Sequence, residues 1–508
     1  MAHIQQLHPE SSRSTRTADR FETVNPASGE VIASFPIDDE TTVGAAVERA
    51  REASEWWRAI GFAERARHLR AYNAEIARRM HELASLIHRE NGKPHADAIL
   101  EITLVIDHVA WAAAHARKVL GPRPVFPGLL ALNNSASVEY QPLGVIGVIG
   151  PWNYPVFTPT GSIAYALAAG NAVVFKPSEY TPAIGAWMVD AWGEAVPGGR
   201  DLFALVTGKG DTGAALCRSG VDKIAFTGSA RTGRLVMAAC AENLVPVLME
   251  CGGKDALIVD DGADLEAAAD AALWSGMSNG GQTCIGTERV YATDAVYDRF
   301  LAILEERAAG LRPGSDPDAS WGPPTMPSQV DVVHRHVEDA LRRGGRAVVG
   351  GTDSVAATGV GPTVLVGVPE DAAAVTEETF GPTLTVARVR DAEEAITRSN
   401  ASGYGLGGAI FSGSRERGIE LARKMRSGMT SVNSVLTFAF VPGLPFGGVG
   451  ESGFGRIHGP DGLREFTRAK AITAQRFELP VNLTSFHRPR KATDLLSATM
   501  RLIHGRSR

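Results

Sequence analysis

From residue 41 to about 90 the apolar side chains recur at helical spacing. Val43, Ala46, Val47, Ala50, Trp56 and Trp57 fall near one face, with charged residues on the other, which predicts amphipathic helices. A second helical block is predicted from about 95 to 119. From 122 to 142 the periodicity breaks, and Pro122, Pro124, Pro127 and Pro142 impose loop and strand character.

The pattern then changes. Short β-branched runs alternate with Ala-rich helical stretches: 145–149, a helix near 160–169, then 172–175, 202–206 and 223–226. Continuous apolar runs bounded by helices predict parallel strands covered on both faces. The alternation resumes after Gly252, at 256–259, 289–292, 347–349, 384–386 and 409–411. Two α/β units in tandem suit a chain of 508 residues, whose length implies roughly three domain-sized pieces. No fixed-period repeat is visible.

Composition adds mostly exclusions. Hydrophobic residues at 44 % and charged residues at 21 % are the ordinary globular mix. A formal charge of −6 offers no basic face, so no nucleic-acid partner is expected. Cys217, Cys240, Cys251 and Cys284 form no CxxC pair and show no metal-ligand spacing. No metal is therefore expected, and reduced thiols in a cytoplasmic protein are. No run of 18 apolar residues exists; the longest candidate, 143–152, is broken by glycines and a proline, so no transmembrane helix is expected. The polar run 1–20 lacks an apolar signal core and is expected to fray. The tail 488–508 holds six Lys and Arg against one acid, Asp494, with Leu495, Leu496, Met500 and Ile503 as an apolar stripe if helical. A tail helix packed on its own protein or on a subunit partner is the first expectation, and a membrane-surface contact the lesser one.

Two GxGxxG matches, at 208–213 and 448–453, look like dinucleotide fingerprints. With 55 glycines, chance alone supplies roughly 0.6 such matches, so neither carries weight.

A set of loop segments carries more. Asn153 lies in a Pro-flanked loop directly after the 145–149 run, at the strand end where α/β proteins place functional side chains. Its amide can donate to a developing oxyanion. Lys176 and Glu179, with Ser178 between them, follow the next strand and could hold ribose hydroxyls. Gly228 and Ser229 lead into a helix containing Gly233, whose free N–H groups would suit a pyrophosphate. Cys284, preceded by Gln282-Thr283 in a Gly-rich run, can be approached closely by a substrate, given a base or a lowered pKa. Glu250 ends an apolar run and would suit a general base.

Taken together these segments resemble the aldehyde dehydrogenase superfamily, from about Thr23 to about Phe477. The matching blocks, in order, are Pro151-Trp152-Asn153-Tyr154-Pro155, Lys176-Pro177-Ser178-Glu179, Phe226-Thr227-Gly228-Ser229, Glu250-Cys251-Gly252-Gly253-Lys254, Gly281-Gln282-Thr283-Cys284, Glu377-Glu378-Thr379-Phe380-Gly381-Pro382 and Pro445-Phe446-Gly447-Gly448.

The resemblance implies an α/β fold with a Rossmann-like cofactor domain (21–121 and 143–251), an α/β catalytic domain (252–452) and a small β oligomerisation flap (122–142 and 470–487). It also implies a homodimer or homotetramer. Cys284 would attack the aldehyde, Asn153 and the Cys284 N–H would hold the oxyanion, and Glu250 would activate water against the thioester. Pro151, Trp152, Lys176, Ser178, Glu179, Gly228, Ser229, Gly233, Glu378 and Phe380 would bind the cofactor, with NAD favoured by Glu179 and NADP possible. Tyr154, Phe157, Thr283, Ile285, Phe438 and Phe440 would line the substrate pocket.

Three positions depart from the family pattern: Cys251 for Leu, Gly450 where many members carry Lys, and Ile457-His458 after Arg456 where many carry an acid. The last puts in doubt a proton route behind Glu250. The loop 434–444 contains no Arg or Lys, so an apolar aliphatic or aromatic aldehyde is expected, with succinic semialdehyde as the alternative. A coenzyme A-acylating relative would lack Glu250. A non-catalytic structural protein on the same scaffold would have no need of Cys284, Glu250 and Asn153 together.

Overall fold

The computed structural model describes residues 19–316, 318–356 and 359–505. Residues 1–18 of the run expected to fray lie outside these. Arg20, expected to fray with them, instead opens strand Arg20–Val24, which pairs antiparallel with Val31–Pro36. Its guanidinium is anchored there, Nε donating to Ser34 Oγ at 3.0 Å. The described residues form two compact units, 19–119 with 142–467, and 120–141 with 468–505.

The first unit begins with helices Glu40–Ala59, Gly61–Arg78, Met80–Asn91 and His95–Leu120. Asp39 caps the first of them, accepting from the Thr42 N–H at 2.9 Å. Of the two tryptophans expected on its buried face, Trp57 is fully buried and Trp56 is 40 % exposed. Trp57 lies about four turns beyond Val43 and shares its stripe, whereas Trp56 is rotated off it. Trp57 Nε1 also donates to the Leu167 carbonyl at 2.8 Å. Helix His95–Leu120 is long and apolar enough to cross a membrane, with a mean hydropathy of 1.3 over its best window. Its Ala98, Ile102, Val105, Val109, Ala112 and Ala116 are nevertheless buried at three- to four-residue spacing, the pattern of a core helix.

Two sheets carry the rest of the unit. The six-stranded one runs Gly453–Phe454, Val247–Cys251, Lys223–Gly228, Val145–Ile149, Ala172–Lys176, Phe203–Leu205. It is parallel except at its first edge strand. The chain winds from Val145–Ile149 toward one edge and then returns to lay Lys223–Gly228 on the other side. The crevice beyond the carboxyl ends of these two strands is therefore a topological switch point, the usual ligand position in such sheets. The seven-stranded sheet runs Arg346–Val349, Thr363–Val366, Thr383–Val389, Thr287–Thr293, Asp255–Val259, Gly408–Phe411, Ser431–Val432. It is parallel except for Arg346–Val349.

The second unit is a three-stranded sheet in the order Thr467–Gln475, Asn134–Pro142, Arg123–Val125, together with helix Arg490–His504.

Replacing Trp57 by Ala removes a fully buried indole and its hydrogen bond to the Leu167 carbonyl, a loss of about 3–5 kcal/mol. Thermal melts should show a clear drop for Trp57→Ala and little change for Trp56→Ala. Equal drops would mean that the buried face is misassigned.

Candidate active site

Cys284 sits in the turn between helix Leu265–Met277 and strand Thr287–Thr293. Asn279, Gly280 and Gly281 all have left-handed backbone (φ 54°, 65° and 71°). A Cβ on Gly281 would lie 2.1 Å from the Gly381 carbonyl carbon, so only glycine lets the thiol loop close on the 377–382 segment. Glu250 lies in Val247–Cys251. Strand alternation turns Met249 and Cys251 toward Gly233 on helix Ala230–Ala241 and sends Glu250 to the opposite face.

Cys284 and Glu250 line one cavity. Both Glu250 oxygens are buried and make no hydrogen bond to any described residue. Burial holds this carboxyl well above the usual carboxylate range, opposed by the Arg456 guanidinium and aided by Glu465. A Cβ on Gly447 would come within 2.6 Å of Glu250 Oε1, so the chain leaves room there for the carboxylate alone. The Cys284 thiol is half-buried at the cavity wall. Burial, and then Glu378, Asp255 and Glu250, push it up, while the Ile285 N–H acts the other way.

Asn153 is buried, its Nδ2 donating to the Gln282 carbonyl at 2.9 Å, two residues before the thiol. Of the residues expected to meet substrate, Tyr154, Phe157, Thr283, Ile285 and Phe440 line the Cys284 cavity. Tyr154 OH and Thr283 Oγ1 are 3.0 Å apart. Phe438 is not in the lining. The short helix Thr437–Phe440 turns its ring instead to within 3.0 Å of a Cβ built on Gly407.

The expected cofactor residues gather mainly at the switch point. Pro151 and Trp152 follow Val145–Ile149, Lys176 ends Ala172–Lys176 with Ser178 and Glu179 just beyond, and Gly228 ends Lys223–Gly228. Ser229 caps helix Ala230–Ala241, accepting from the Thr232 N–H at 3.2 Å. Lys176 is buried with a single acceptor among the described residues, the Pro177 carbonyl at 3.1 Å, and burial lowers its pKa. A buried ammonium with such a small bond set fits the hydroxyls and phosphates of a dinucleotide, and the N–H groups at the start of helix Ala230–Ala241 fit a phosphate. Gly233 stands apart: a Cβ there would meet Met249 Sδ at 2.6 Å, so it serves helix–strand packing. Glu378 lies over Gly252 and Gly253 and accepts the Gly253 N–H at 3.1 Å. Phe380 packs edge-on against Trp152, ring centroids 5.5 Å apart. The described residues include no group of three or more His, Cys, Asp or Glu able to hold a metal.

Sequence reasoning missed the side chains that hold these loops. Glu101 accepts the N–H groups of Val156 and Phe157, each at 3.0 Å, and pairs with buried Lys93, which also donates to the Asn153 carbonyl at 3.2 Å. Glu288 accepts the N–H groups of Thr379 and Phe380 and pairs with buried Lys254. Asp97, Leu100 and Leu104 of helix His95–Leu120 line the cavity too. Their i, i+3, i+7 spacing marked a helix face but not what the face met. The departure after Arg456 also has a location. Ile457 lines the cavity, while His458 is fully buried against His108, ring centroids 4.0 Å apart. Neither ring nitrogen of His458 has a hydrogen-bond partner among the described residues, and His108 Nε2 is 3.1 Å from the Ala439 carbonyl.

With the geometry in place, three comparisons bear on it. The model of the aldehyde dehydrogenase family matches residues 13–472. A 4,4'-diapolycopene aldehyde oxidase of Methylomonas is 36 % identical over 460 residues, 90 % of this chain and 86 % of the relative. A glutarate-semialdehyde dehydrogenase of Pseudomonas aeruginosa is 36 % identical over 464 residues, 90 % and 95 % of the two chains. The crystal structure of an NAD-dependent aldehyde dehydrogenase from Sinorhizobium meliloti superposes with a TM-score of 0.87 at 31 % identity, covering 92 % of this chain and 93 % of that one.

Burial, followed by the Glu288 charge, raises the Glu378 pKa from 4.5 to about 8. A folded-state pKa above the unfolded value gives stability that is present below about 4.5 and lost as pH rises through about 8. Wild-type melting temperature should therefore fall more between pH 6 and pH 9 than that of Glu378→Gln, which stays neutral. Parallel curves would refute the assignment.

Proposed function

The chain belongs to the aldehyde dehydrogenase family, and from that membership we propose that it oxidises an apolar aliphatic or aromatic aldehyde to the carboxylic acid, Cys284 serving as nucleophile and Glu250 as general base. The observation that carries this reading is the single cavity onto which both side chains open.

The raised thiol of Cys284 has to release its proton to solvent before attack, while Glu250, whose oxygens are uncommitted, is kept for the later step with water. The thiolate adds to the carbonyl carbon, and the oxyanion is met by the Asn153 side chain and the Cys284 N–H. A bound nicotinamide dinucleotide supplies the hydride acceptor. Lys176, Ser178 and Glu179 would hold its adenosine end, Ser229 with the helix start its pyrophosphate, and Glu378 and Phe380 its nicotinamide end. Glu179 favours NAD, because a carboxylate accepts ribose hydroxyls and repels a 2'-phosphate, while Lys176 leaves NADP acceptable. Glu250 then takes a proton from water, which hydrolyses the Cys284 thioester. Because burial raises its pKa, hydrolysis should gain rate with pH above the ordinary carboxylate range.

The cavity wall supports the apolar substrate class. Lys93 is the one Lys or Arg among its described lining residues, and Glu101 and the Asn153 carbonyl already engage it. Asp97 adds a carboxyl that would repel an anionic semialdehyde. Four free cysteines suit a cytoplasmic compartment. Exposed Phe126, Leu129 and Leu130 of the second unit suit a homodimer or homotetramer.

Rapid-mixing kinetics test the roles of the two residues. Glu250→Gln should keep a burst of reduced dinucleotide close to one per site while steady-state turnover falls at least about a hundredfold, and Cys284→Ser should abolish both. A Glu250→Gln variant that turns over normally would remove the general base from this scheme. For the substrate, kcat/KM on a medium-chain or aromatic aldehyde should exceed that on succinic or glutaric semialdehyde by about a hundredfold or more. The reverse order would overturn the apolar assignment.

A further inference from the structure

We propose that the carboxy-terminal helix Arg490–His504, with Phe486 ahead of it, is a docking element for an anionic lipid surface. The helix buries none of its residues. At helical spacing Ala492, Leu495, Leu496, Met500, Leu502 and Ile503 gather within one arc of about 160°. The opposite side carries Arg490, Asp494, Ser497 and Arg501. Leu495 and Leu502 are 69 % and 72 % exposed, and Phe486 is fully exposed. Ala492, Leu496 and Met500 are half-buried, so Leu495, Leu502, Ile503 and Phe486 are the part of the stripe that faces water, and apolar groups so exposed together mark an interaction surface.

Charge selects the occupant. The tail 488–508 carries six Lys and Arg against one Asp, in a chain that is acidic as a whole. Arg490, Lys491 and Arg501 form no ion pair among the described residues, so their charge is available. A narrow apolar stripe bordered by uncommitted cations is the make-up of a helix that lies in the headgroup region of a membrane. Each cation near an anionic leaflet adds attraction that salt screens. A second copy of the chain is the competing occupant. Subunit contacts deplete Lys, whereas Lys491 borders this stripe. The docking inference stands independently of the substrate class, although an apolar aldehyde dissolved in a bilayer would meet the enzyme there.

The test is co-sedimentation of the full chain with vesicles of phosphatidylcholine alone and of phosphatidylcholine with about 30 % phosphatidylglycerol. Mass is measured by light scattering, and turnover of a water-soluble aldehyde is followed in parallel. Anionic vesicles should bind at least tenfold more tightly than neutral ones, with the advantage collapsing at about 0.5 M salt. Leu495→Glu with Leu502→Glu should lose vesicle binding at least tenfold, with turnover and particle mass unchanged. Arg490→Ser with Lys491→Ser and Arg501→Ser should lose the preference for the anionic lipid. No binding to either vesicle, or binding that these substitutions leave intact, overturns the proposal. So does a smaller particle for the Leu double variant, which would assign the stripe to a second copy of the chain.

Discussion

Two buried lysine–glutamate pairs fix the loops from which the site is built. Lys93–Glu101 fastens the stretch bearing Asn153, Tyr154 and Phe157, and Lys254–Glu288 fastens the one bearing Glu378 and Phe380. A buried ion pair adds little net stability, because desolvating both charges cancels most of the attraction. Directional anchoring is the better account of these two. Each glutamate also accepts two successive backbone N–H groups, which sets the path of the loop to within a hydrogen bond's tolerance. An apolar replacement of equal volume could fill the space but would leave four backbone donors orphaned.

Carboxylates in so dry a setting govern one another. Glu250, Glu378 and Asp255 are all raised chiefly by burial, and each also raises the Cys284 thiol. Charge is therefore costly in the resting site until something arrives to meet it. Arg456 is the counterweight near Glu250, its Nη1 also donating to the Gly448 and Gly455 carbonyls.

Much of this architecture was legible in the chain because burial on both sheet faces demands uninterrupted apolar runs. The runs at 145–149, 172–175, 223–226, 256–259, 289–292, 384–386 and 409–411 each fall within a strand. Thr363–Val366 was overlooked, being four residues in a Gly- and Pro-rich stretch. Ser431–Val432 and Gly453–Phe454 are too short to leave a period. Loop chemistry was visible where short residues and glycines cluster, as around Cys284 and Gly252. The ion-pair anchors were invisible because Lys93 and Glu101, like Lys254 and Glu288, look in sequence like ordinary solvated charges. Only the fold shows that they face inward. Phe438 lies outside the pocket lining for a related reason, since the two residues of helix from it to Phe440, a rotation of about 200°, separate a ring that faces the cavity from one that faces the core.

The two imidazoles behind the pocket wall carry a consequence for acid tolerance. His458 touches Phe157 and Phe446, both of which line the cavity, and lies against His108. Burial pushes His108 down to about 4 and His458 well below 6.5. Unfolded chains protonate such rings near 6.5, so acidification draws the protein toward states in which the pair has come apart. Mild acid would then loosen first the stretch of cavity wall that Phe157 and Phe446 share, because those are the rings the pair supports.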